Sequence, residues 1–425
     1  MTYHIITIGC QMNKADSQRI ASFLETNNYS FSESIGNVDL VIINTCGVRQ
    51  SPEDRVYGLV KEIRKKNKRA NVVVTGCLAR RKDVERRLKN QVDLFMPINQ
   101  LPDIFNLLTK KNYLSRYDKE RLVSGEKYLD IKPKHQTNFS AFVPIGNGCN
   151  NFCSYCVVPY ARGREVYRKK TEIIKEVKDL IKNDYKEIIL IAQNVNSFPN
   201  FPKLLEDIAK IKGDFWVRFV SSHPKDLDDK LIEVISKNQK IANHIHLALQ
   251  SGDNEILEKM NRKYRVEDFI NIIEKLRKKR PGIAVSTDII VGFPGESQKQ
   301  FKNSLKVLKL LQFDMAYISQ YSPRPQTAAY NLKDDVKKED KRKREEILNE
   351  YLKKTALLNN KQYLNKECLV LIDGVNRKGN LQGKTSSFKT VVIENKKDKK
   401  LIGQFKKVKI KKVKEFILTG EIYES

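Results

Sequence analysis

The chain has 425 residues, of which 40% are hydrophobic, and 80 Lys and Arg against 51 Asp and Glu give it a formal net charge of +29. This hydrophobic fraction excludes a wholly disordered chain, and no apolar run is long enough to cross a bilayer. The charge indicates a polyanionic partner such as nucleic acid, although a coding bias toward lysine would give the same excess. With no visible signal peptide and seven cysteines, we expect a reduced, cytoplasmic protein.

The first block of the chain alternates between apolar strands and amphipathic helices. The predicted strands are residues 4–9, 39–44 and 71–76, and the predicted helices are 15–26, 53–66 and 83–88. Such alternation is typical of a small parallel α/β sheet. The polar, Lys-rich residues 109–137 that follow are predicted to form a linker.

The second block repeats this alternation on a larger scale. Its predicted strands are 142–145, 187–192, 216–220, 244–249, 283–290 and 315–319, with helices at 171–182, 266–279 and 300–311. Six βα units indicate a (βα)6 partial barrel, in which reactive groups gather at the carboxyl ends of the strands. A doubly wound sheet stays open as the alternative.

The third block follows a long charged helix predicted over residues 337–358. Short alternating strands such as 368–372 and 405–410, separated by turn-forming residues, predict a small antiparallel β-barrel. Its many lysines favour RNA binding, with a merely solvated charged surface as the alternative. The predicted domain ranges are therefore 1–115, 135–360 and 361–425.

Three of the cysteines are clustered within eight residues of the second block. Cys149, Cys153 and Cys156 are spaced so that their thiolates can wrap one iron–sulfur cluster and leave one iron open for a small molecule. A zinc site would need a fourth ligand, and the nearest, His135, lies in the predicted linker. The spacing therefore favours an iron–sulfur cluster.

Three other cysteines each follow a predicted strand of the first block. Cys10, Cys46 and Cys77 come after successive strands, and the carboxyl ends of parallel strands meet at one edge of a sheet. Gly9 and Gly76 precede two of them and allow close approach of a bulky ligand. We therefore expect a second metal cluster, with three unconnected core thiols as the alternative. The seventh cysteine is interpreted as a core residue.

These motifs resemble those of the radical S-adenosylmethionine methylthiotransferases over nearly the whole chain. The spacing Cys149-x3-Cys153-x2-Cys156 is similar to the superfamily's cluster loop, and the third block resembles the RNA-binding TRAM barrel. Further matching motifs are residues 9–13, 44–46, 75–77, 193–197, 222–224, 250–252 and 321–325.

The resemblance is closest to the subgroup that methylthiolates N6-isopentenyladenosine at position 37 of tRNA, beside the anticodon. The motifs 10–13, Val48-Arg49 and 193–197 carry this assignment, whereas Tyr167, Gln326 and residues 51–53 depart from the family pattern. The alternatives are methylthiolation of threonylcarbamoyladenosine in tRNA or of a ribosomal protein. A zinc-containing RNA-binding protein without catalysis is the remaining alternative.

The resemblance implies the cofactors and the reaction. Cys149, Cys153 and Cys156 would hold a [4Fe-4S] cluster that binds S-adenosylmethionine and, on reduction, cleaves it to give a 5′-deoxyadenosyl radical. This radical would take a hydrogen atom from C2 of the adenine. Cys10, Cys46 and Cys77 would hold an auxiliary [4Fe-4S] cluster that delivers the sulfur, while a second S-adenosylmethionine supplies the methyl group. No side chain is required as an acid or base.

The partners implied are a tRNA anticodon stem-loop carrying isopentenyladenosine, an electron donor such as flavodoxin or ferredoxin, and a sulfur source, with no membrane. Gln250, Asp288 and Gly292 are candidate S-adenosylmethionine contacts, the alternatives being strand caps and a turn that needs glycine. Arg162 and Arg164 would contact RNA phosphate or balance the charge of the cluster, unless their loop is simply solvated.

Overall fold

The computed structural model describes residues 1–48, 50–109, 128–394 and 398–423. Arg49 of the subgroup motif and residues 110–127 of the predicted linker lie outside this described part. Within it, no helix is both long and apolar enough to cross a membrane.

The first block is a five-stranded parallel sheet, as predicted, with strand order β2-β1-β3-β4-β5. The inner strand β3 is buried along its whole length, which explains the four apolar residues with which it begins. The two edge strands are absent from the sequence prediction because two residues are too short to show a pattern. The elements are β1 (Thr2–Thr7), α1 (Gln11–Thr26), β2 (Ser30–Phe31), β3 (Leu40–Thr45), α2 (Gln50–Lys66), β4 (Asn71–Gly76), α3 (Lys82–Leu88), β5 (Leu94–Phe95) and α4 (Ile104–Thr109).

The second block contains six parallel strands with helices between them. Its elements are β6 (Ser140–Pro144), β7 (Gly146–Asn147), α5 (Val158–Arg162), β8 (Val166–Tyr167), α6 (Lys170–Lys182), β9 (Glu187–Ile191), α7 (Phe201–Ala209), β10 (Trp216–Phe219), α8 (Asp229–Lys237), β11 (His244–His246), α9 (Asn254–Lys259), α10 (Val266–Lys279), β12 (Ala284–Val291), α11 (Gln298–Leu311) and β13 (Met315–Gln320).

The six parallel strands, β6 and β9 to β13, form a partial barrel. One sheet has the order β10-β9-β6 and the other β11-β12-β13, and single parallel bridges join Val217 to Ile241 and Ser222 to Leu247. The strands thus follow one another in chain order, without the reversal of strand order that defines a doubly wound sheet. The partial-barrel prediction is confirmed, and the doubly wound alternative is wrong.

The third block is a closed five-stranded barrel after a long helix, as predicted. The elements are α12 (Lys338–Lys361), β14 (Glu367–Val375), β15 (Leu381–Thr385), β16 (Thr390–Ile393), β17 (Phe405–Val413) and β18 (Ile417–Ile422). The order is β14-β15-β16-β18-β17, and every pair is antiparallel except β16 and β18. That parallel pair closes the barrel.

The barrel is docked on the second block through buried contacts. The Arg218 guanidinium donates to the carbonyl oxygens of Thr385 and Ser386, each at 2.7 Å, and to Glu187 at 2.6 Å. The rings of Trp216 and Phe405 lie 4.7 Å apart. Glu187 and Trp216 are the first residues of β9 and β10, so these contacts hold the loop between β15 and β16 near the amino ends of the second block's strands.

We expect alanine at Gly76 to lower the thermal unfolding midpoint. Gly76 ends β4 with φ +83°, and a Cβ there would lie 2.3 Å from the carbonyl oxygen of Thr45. A clash with backbone on an inner strand forces the strand ends apart, so the loss should exceed the ~1 kcal/mol typical of point substitutions. Calorimetry of the purified protein measures the midpoint.

The matched control is Gly58→Ala in helix α2. Its added Cβ would meet nothing within 4 Å, and alanine in a helix interior is stabilising by roughly 0.5–1 kcal/mol relative to glycine. The midpoint should therefore stay the same or rise. A Gly76→Ala protein that unfolds at the wild-type temperature would contradict the assigned backbone constraint.

Candidate functional site

The first set of cysteines meets at one edge of the first block's sheet. Cys10 follows β1, Cys46 follows β3 and Cys77 follows β4, three strands that are neighbours in the sheet. All three line a single cavity of about 670 Å³. The structure thus places these three cysteines together, as their positions after successive strands predict.

Two buried asparagines connect the loops that carry these cysteines. The side-chain amide of Asn13 donates to Asn44 Oδ1 at 2.8 Å and to the Thr45 carbonyl at 2.9 Å, while Asn44 donates back to the Asn13 carbonyl at 2.8 Å. Asn13 Oδ1 also accepts from Cys10 Sγ at 3.2 Å. Because buried amides are costly unless paired, this exchange fixes the two loops relative to each other.

The second set of cysteines lies on the loop that precedes α5. The end of α9 and the residues after it hold this loop in place. Ser154 donates to the Lys259 carbonyl at 2.7 Å, and Asn261 donates to the Phe152 carbonyl at 2.9 Å. The buried guanidinium of Arg262 lies 3.5 Å from Cys153 Sγ. Sequence reasoning missed Arg262, since nothing in its local pattern marks it.

Burial disfavours the thiolate form in both sets while no metal is bound. Burial, together with the neighbouring Cys77, raises the pKa of Cys46 to about 11. Burial likewise raises the pKa of Cys149 to about 11 and that of Cys156 above its usual range. Cys77 contributes to the raised pKa of Cys156, so the two sets are electrostatically coupled. A bound metal would offset this burial cost by taking the thiols as thiolates.

A buried arginine lies between the two sets. Arg162, at the end of α5, donates to Asp16 Oδ2 at 2.7 Å and to Asn147 Oδ1 at 3.1 Å. Burial lowers the pKa of Arg162, but Asp16 and then Cys77 more than offset this and hold it well above its ordinary value. With its guanidinium enclosed, Arg162 cannot contact RNA phosphate; of the sequence alternatives, the structure favours charge balance beside the cysteines.

Arg164, the other arginine of this loop, is exposed, and its guanidinium lies 4.3 Å from the centre of the Phe152 ring. This cation–π contact keeps its charge near the cysteine loop while leaving it open to solvent.

Two adjoining cavities occupy the space between the blocks. We call the one with the first cysteine set the three-block cavity, because residues of all three blocks line it. A smaller cavity of about 320 Å³, the cysteine-loop cavity, is lined by Tyr155 and Cys156 among others. Val48 and Asp288 line both cavities. The first cysteine set and Cys156 of the second set therefore line neighbouring cavities that share a wall.

The three candidate S-adenosylmethionine contacts are not placed alike. Gln250 and Asp288 line the cysteine-loop cavity with Cys156. Gly292 lines neither cavity: it has φ +69°, and an added Cβ would lie 2.3 Å from Cγ of Lys341. Its turn and its packing against α12 are enough to explain the glycine, and its contact with S-adenosylmethionine stays a prediction.

The barrel contributes a wall of the three-block cavity that the sequence did not reveal. Lys384, Phe388, Lys389 and Phe416 line it, and the Phe416 side chain is exposed. An aromatic residue in a loop that also carries lysine is the available signal, since RNA bases stack on such rings. The sequence prediction assigned RNA binding to the barrel as a whole, without these residues.

The chemistry of the donor sets fits iron–sulfur clusters. All seven cysteines are free, and each set presents three thiols beside a buried arginine that offsets negative charge. Among the described residues, no three His, Cys, Asp or Glu side chains converge tightly enough to hold a single metal ion. Three thiolates can hold a four-iron cluster and leave one iron without a protein ligand, whereas a structural zinc site needs a fourth ligand.

Three family models match the chain, one in each block. Residues 2–97 match the model described as Uncharacterized protein family UPF0004, residues 143–308 match the Radical SAM superfamily, and residues 361–423 match the TRAM domain. A solved radical S-adenosylmethionine methyltransferase from Kitasatospora setae, with tryptophan substrate and an S-adenosylmethionine analogue bound, is similar with a TM-score of 0.58 at 14% identity. The match covers 77% of this chain and 74% of that one, and it shows the fold alone.

Relatives of nearly equal length are much more similar in sequence. The chain is 40% identical to a tRNA-2-methylthio-N(6)-dimethylallyladenosine synthase of Caldicellulosiruptor saccharolyticus, over 99% of this chain and 92% of that protein. It is 38% identical to the synthase of the same name in Clostridium novyi, over 99% and 96%. The superfamily's cofactors are an iron–sulfur cluster and S-adenosylmethionine. The chain belongs to the methylthiotransferase family of radical S-adenosylmethionine enzymes.

Proposed function

We propose that this protein adds a methylthio group to C2 of N6-dimethylallyladenosine at position 37 of tRNA, next to the anticodon. One structural observation supports this most directly: a single cavity is lined by the first cysteine set, by strand ends of the partial barrel and by the basic rim of the TRAM barrel. A base that leaves its anticodon loop could enter there while the barrel contacts the RNA backbone.

We assign the cysteines to two [4Fe-4S] clusters. Cys149, Cys153 and Cys156 would hold the cluster that binds S-adenosylmethionine, and Cys10, Cys46 and Cys77 would hold the auxiliary cluster. When bound, these groups supply the radical and the sulfur, with one S-adenosylmethionine as radical source and another as methyl donor.

The chain's own residues position the reactants and exclude water. Arg162 and Arg262 offset the negative charge of the thiolates. Asp288 and Gln250 face the smaller cavity as acceptor and donor for the cofactor. No side chain is assigned as an acid or base.

The further partners we propose are an electron donor such as flavodoxin or ferredoxin and a source of sulfur. Arg262 and Lys263 line a polar groove beneath the cysteine loop, and Arg262 also reaches Cys153. An acidic electron carrier bound there would lie close to the cysteine loop. We propose the cytoplasm as the compartment, since tRNA is modified there. We propose residues 1–115, 135–360 and 361–425 as the three domains.

We expect this gene to restore the methylthio modification in a bacterial host that lacks its own enzyme. Mass spectrometry of tRNA nucleosides should show 2-methylthio-N6-dimethylallyladenosine with the gene and only N6-dimethylallyladenosine without it. The same host lacking its dimethylallyl transferase should form no methylthio product, because the substrate is then absent.

The measurement also separates the alternatives. Methylthio product on threonylcarbamoyladenosine, or on a ribosomal protein, with dimethylallyladenosine unchanged would reject the proposed substrate and keep the enzyme family. No methylthio product on any of these substrates, with purified protein that contains zinc and no iron, would reject the enzymatic function itself.

A further inference from the structure

A row of polar side chains crosses the wall of the three-block cavity. His244 and His246 lie on one face of β11, and Ser286 and Asp288 lie on the facing side of β12, because alternate residues of a strand share a face. His244 Nε2 is 2.9 Å from Ser286 Oγ, and His246 Nδ1 is 2.9 Å from the same oxygen. His246 Nε2 is 3.1 Å from Asp288 Oδ2.

When both imidazole rings are neutral, only one arrangement of protons gives each hydrogen bond of this row one donor and one acceptor. An ionised carboxylate only accepts hydrogen bonds, so His246 must carry its proton on Nε2 and donate to Asp288. His246 Nδ1 then accepts from the Ser286 hydroxyl, whose oxygen in turn accepts from His244 Nε2. Three donors therefore point the same way, toward Asp288, and each bond polarises the next.

Burial supports the neutral state of the ring at the start of the row. Burial lowers the pKa of His244 well below its ordinary value, with the nearby charge of Arg218 acting in the same direction. Ser286 is buried as well, whereas the Asp288 side chain is 37% exposed. The row thus leads from the half-buried ring of His244 to a carboxylate that lines both cavities.

The His244 end of the row contacts the TRAM barrel. The ring of Phe388 stacks on His244 with centroids 5.2 Å apart and planes inclined by 26°. The loop that carries Phe388 is held by Arg218, which donates to Thr385 and Ser386, and by the Lys389–Asp314 ion pair at 2.6 Å. The position of the His244 ring therefore depends on how this loop of the barrel is held.

We propose that His246 is a positioning residue that orients the Asp288 carboxylate toward S-adenosylmethionine, and that Phe388 of the TRAM barrel holds this row in place. The barrel then has a role in forming the cofactor site in addition to contacting RNA. This inference rests on the proposed function for the identity of the cofactor, but it is independent of which RNA nucleoside is modified.

The test is the affinity for S-adenosylhomocysteine, which carries the same amino acid and ribose groups and cannot react. Calorimetry on the cluster-loaded, unreduced full-length protein should show about tenfold weaker binding for His246→Ala, since hydrogen bonds to charged groups contribute about 1.5–3 kcal/mol. His246→Gln keeps an amide donor near the Nε2 position and should stay within about threefold of wild type.

A double-variant cycle shows whether His246 acts through Asp288. In the Asp288→Asn background, His246→Ala should change the affinity by less than about twofold, because residues acting as a unit are not additive. Phe388→Ala should also weaken binding several-fold. Phe405→Leu, which alters a barrel contact with Trp216 outside the row, should leave binding unchanged.

Two results would overturn the proposal: wild-type affinity in His246→Ala, or losses that simply add in the double variant. Equal weakening by Phe405→Leu and Phe388→Ala would overturn the role of the barrel, since any loosened interface would then suffice. If the nucleoside experiment rejects the proposed RNA substrate while the binding cycle behaves as expected, the proposed function fails and the inference stands.

Discussion

Replacing Cys149 by alanine is expected to abolish methylthio product and to remove about half of the iron, because the two remaining thiolates cannot retain one of the two proposed clusters. Burial already disfavours the free thiolates of this loop, so a partly ligated cluster lacks compensation for its remaining ligands. Iron analysis of anaerobically purified protein and nucleoside mass spectrometry measure the two effects.

Cys10→Ala provides the complementary measurement, because it removes one thiol from the other set. Iron should again fall by about half, while S-adenosylmethionine cleavage by reduced protein persists. Cys368→Ala is the control, since Cys368 lies on β14 of the TRAM barrel and lines neither cavity. Unchanged iron in Cys149→Ala would contradict the assignment of that cysteine as a ligand.

Replacing Arg162 by alanine is expected to cause the largest loss of stability among single substitutions between the first two blocks. Its ion pair with Asp16 is almost fully buried, with side chains 2% and 1% exposed. Removing one partner leaves an uncompensated buried charge, which costs about 3–5 kcal/mol. We expect the thermal unfolding midpoint to fall by several degrees and iron retention to fall with it.

The exposed pair of Arg265 and Glu267, with side chains 69% and 67% exposed, is the matched control. Arg265→Ala should change stability by less than about 1 kcal/mol, as surface ion pairs do. Replacing both Arg162 and Asp16 by leucine should recover part of the loss, because no charge is then left unpaired. A midpoint unchanged in Arg162→Ala would show that solvent reaches Asp16.

Much of the architecture was predictable because it depends on local patterns. The alternation of strands and helices indicated a parallel sheet and a partial barrel, and the turn-separated short strands indicated a closed barrel. The edge strands β2 and β5 were missed because strands of two residues show no periodicity. The parallel pairing of β16 with β18 was missed because it joins strands that are not adjacent in sequence.

The cysteines were identified from sequence because their positions follow from chain order alone. Cys10, Cys46 and Cys77 each follow a strand, and parallel strands bring their carboxyl ends together whatever the details of packing. The second set was identified from the short spacing of its three cysteines within one loop. The role of Gly292 could not be identified in this way, because a glycine required by a turn and one required by a ligand look alike in sequence.

The amino-acid sequence by itself determined the three-block architecture, the two cysteine sets and the resemblance to methylthiotransferases. Only the tertiary structure decided that Arg162 is buried against Asp16, that Asp288 lines two cavities, and that Phe388 of the barrel stacks on His244. The physical reason is range: periodicity and spacing reflect neighbours along the chain. Burial of a charge and the contacts between blocks depend on residues far apart in sequence.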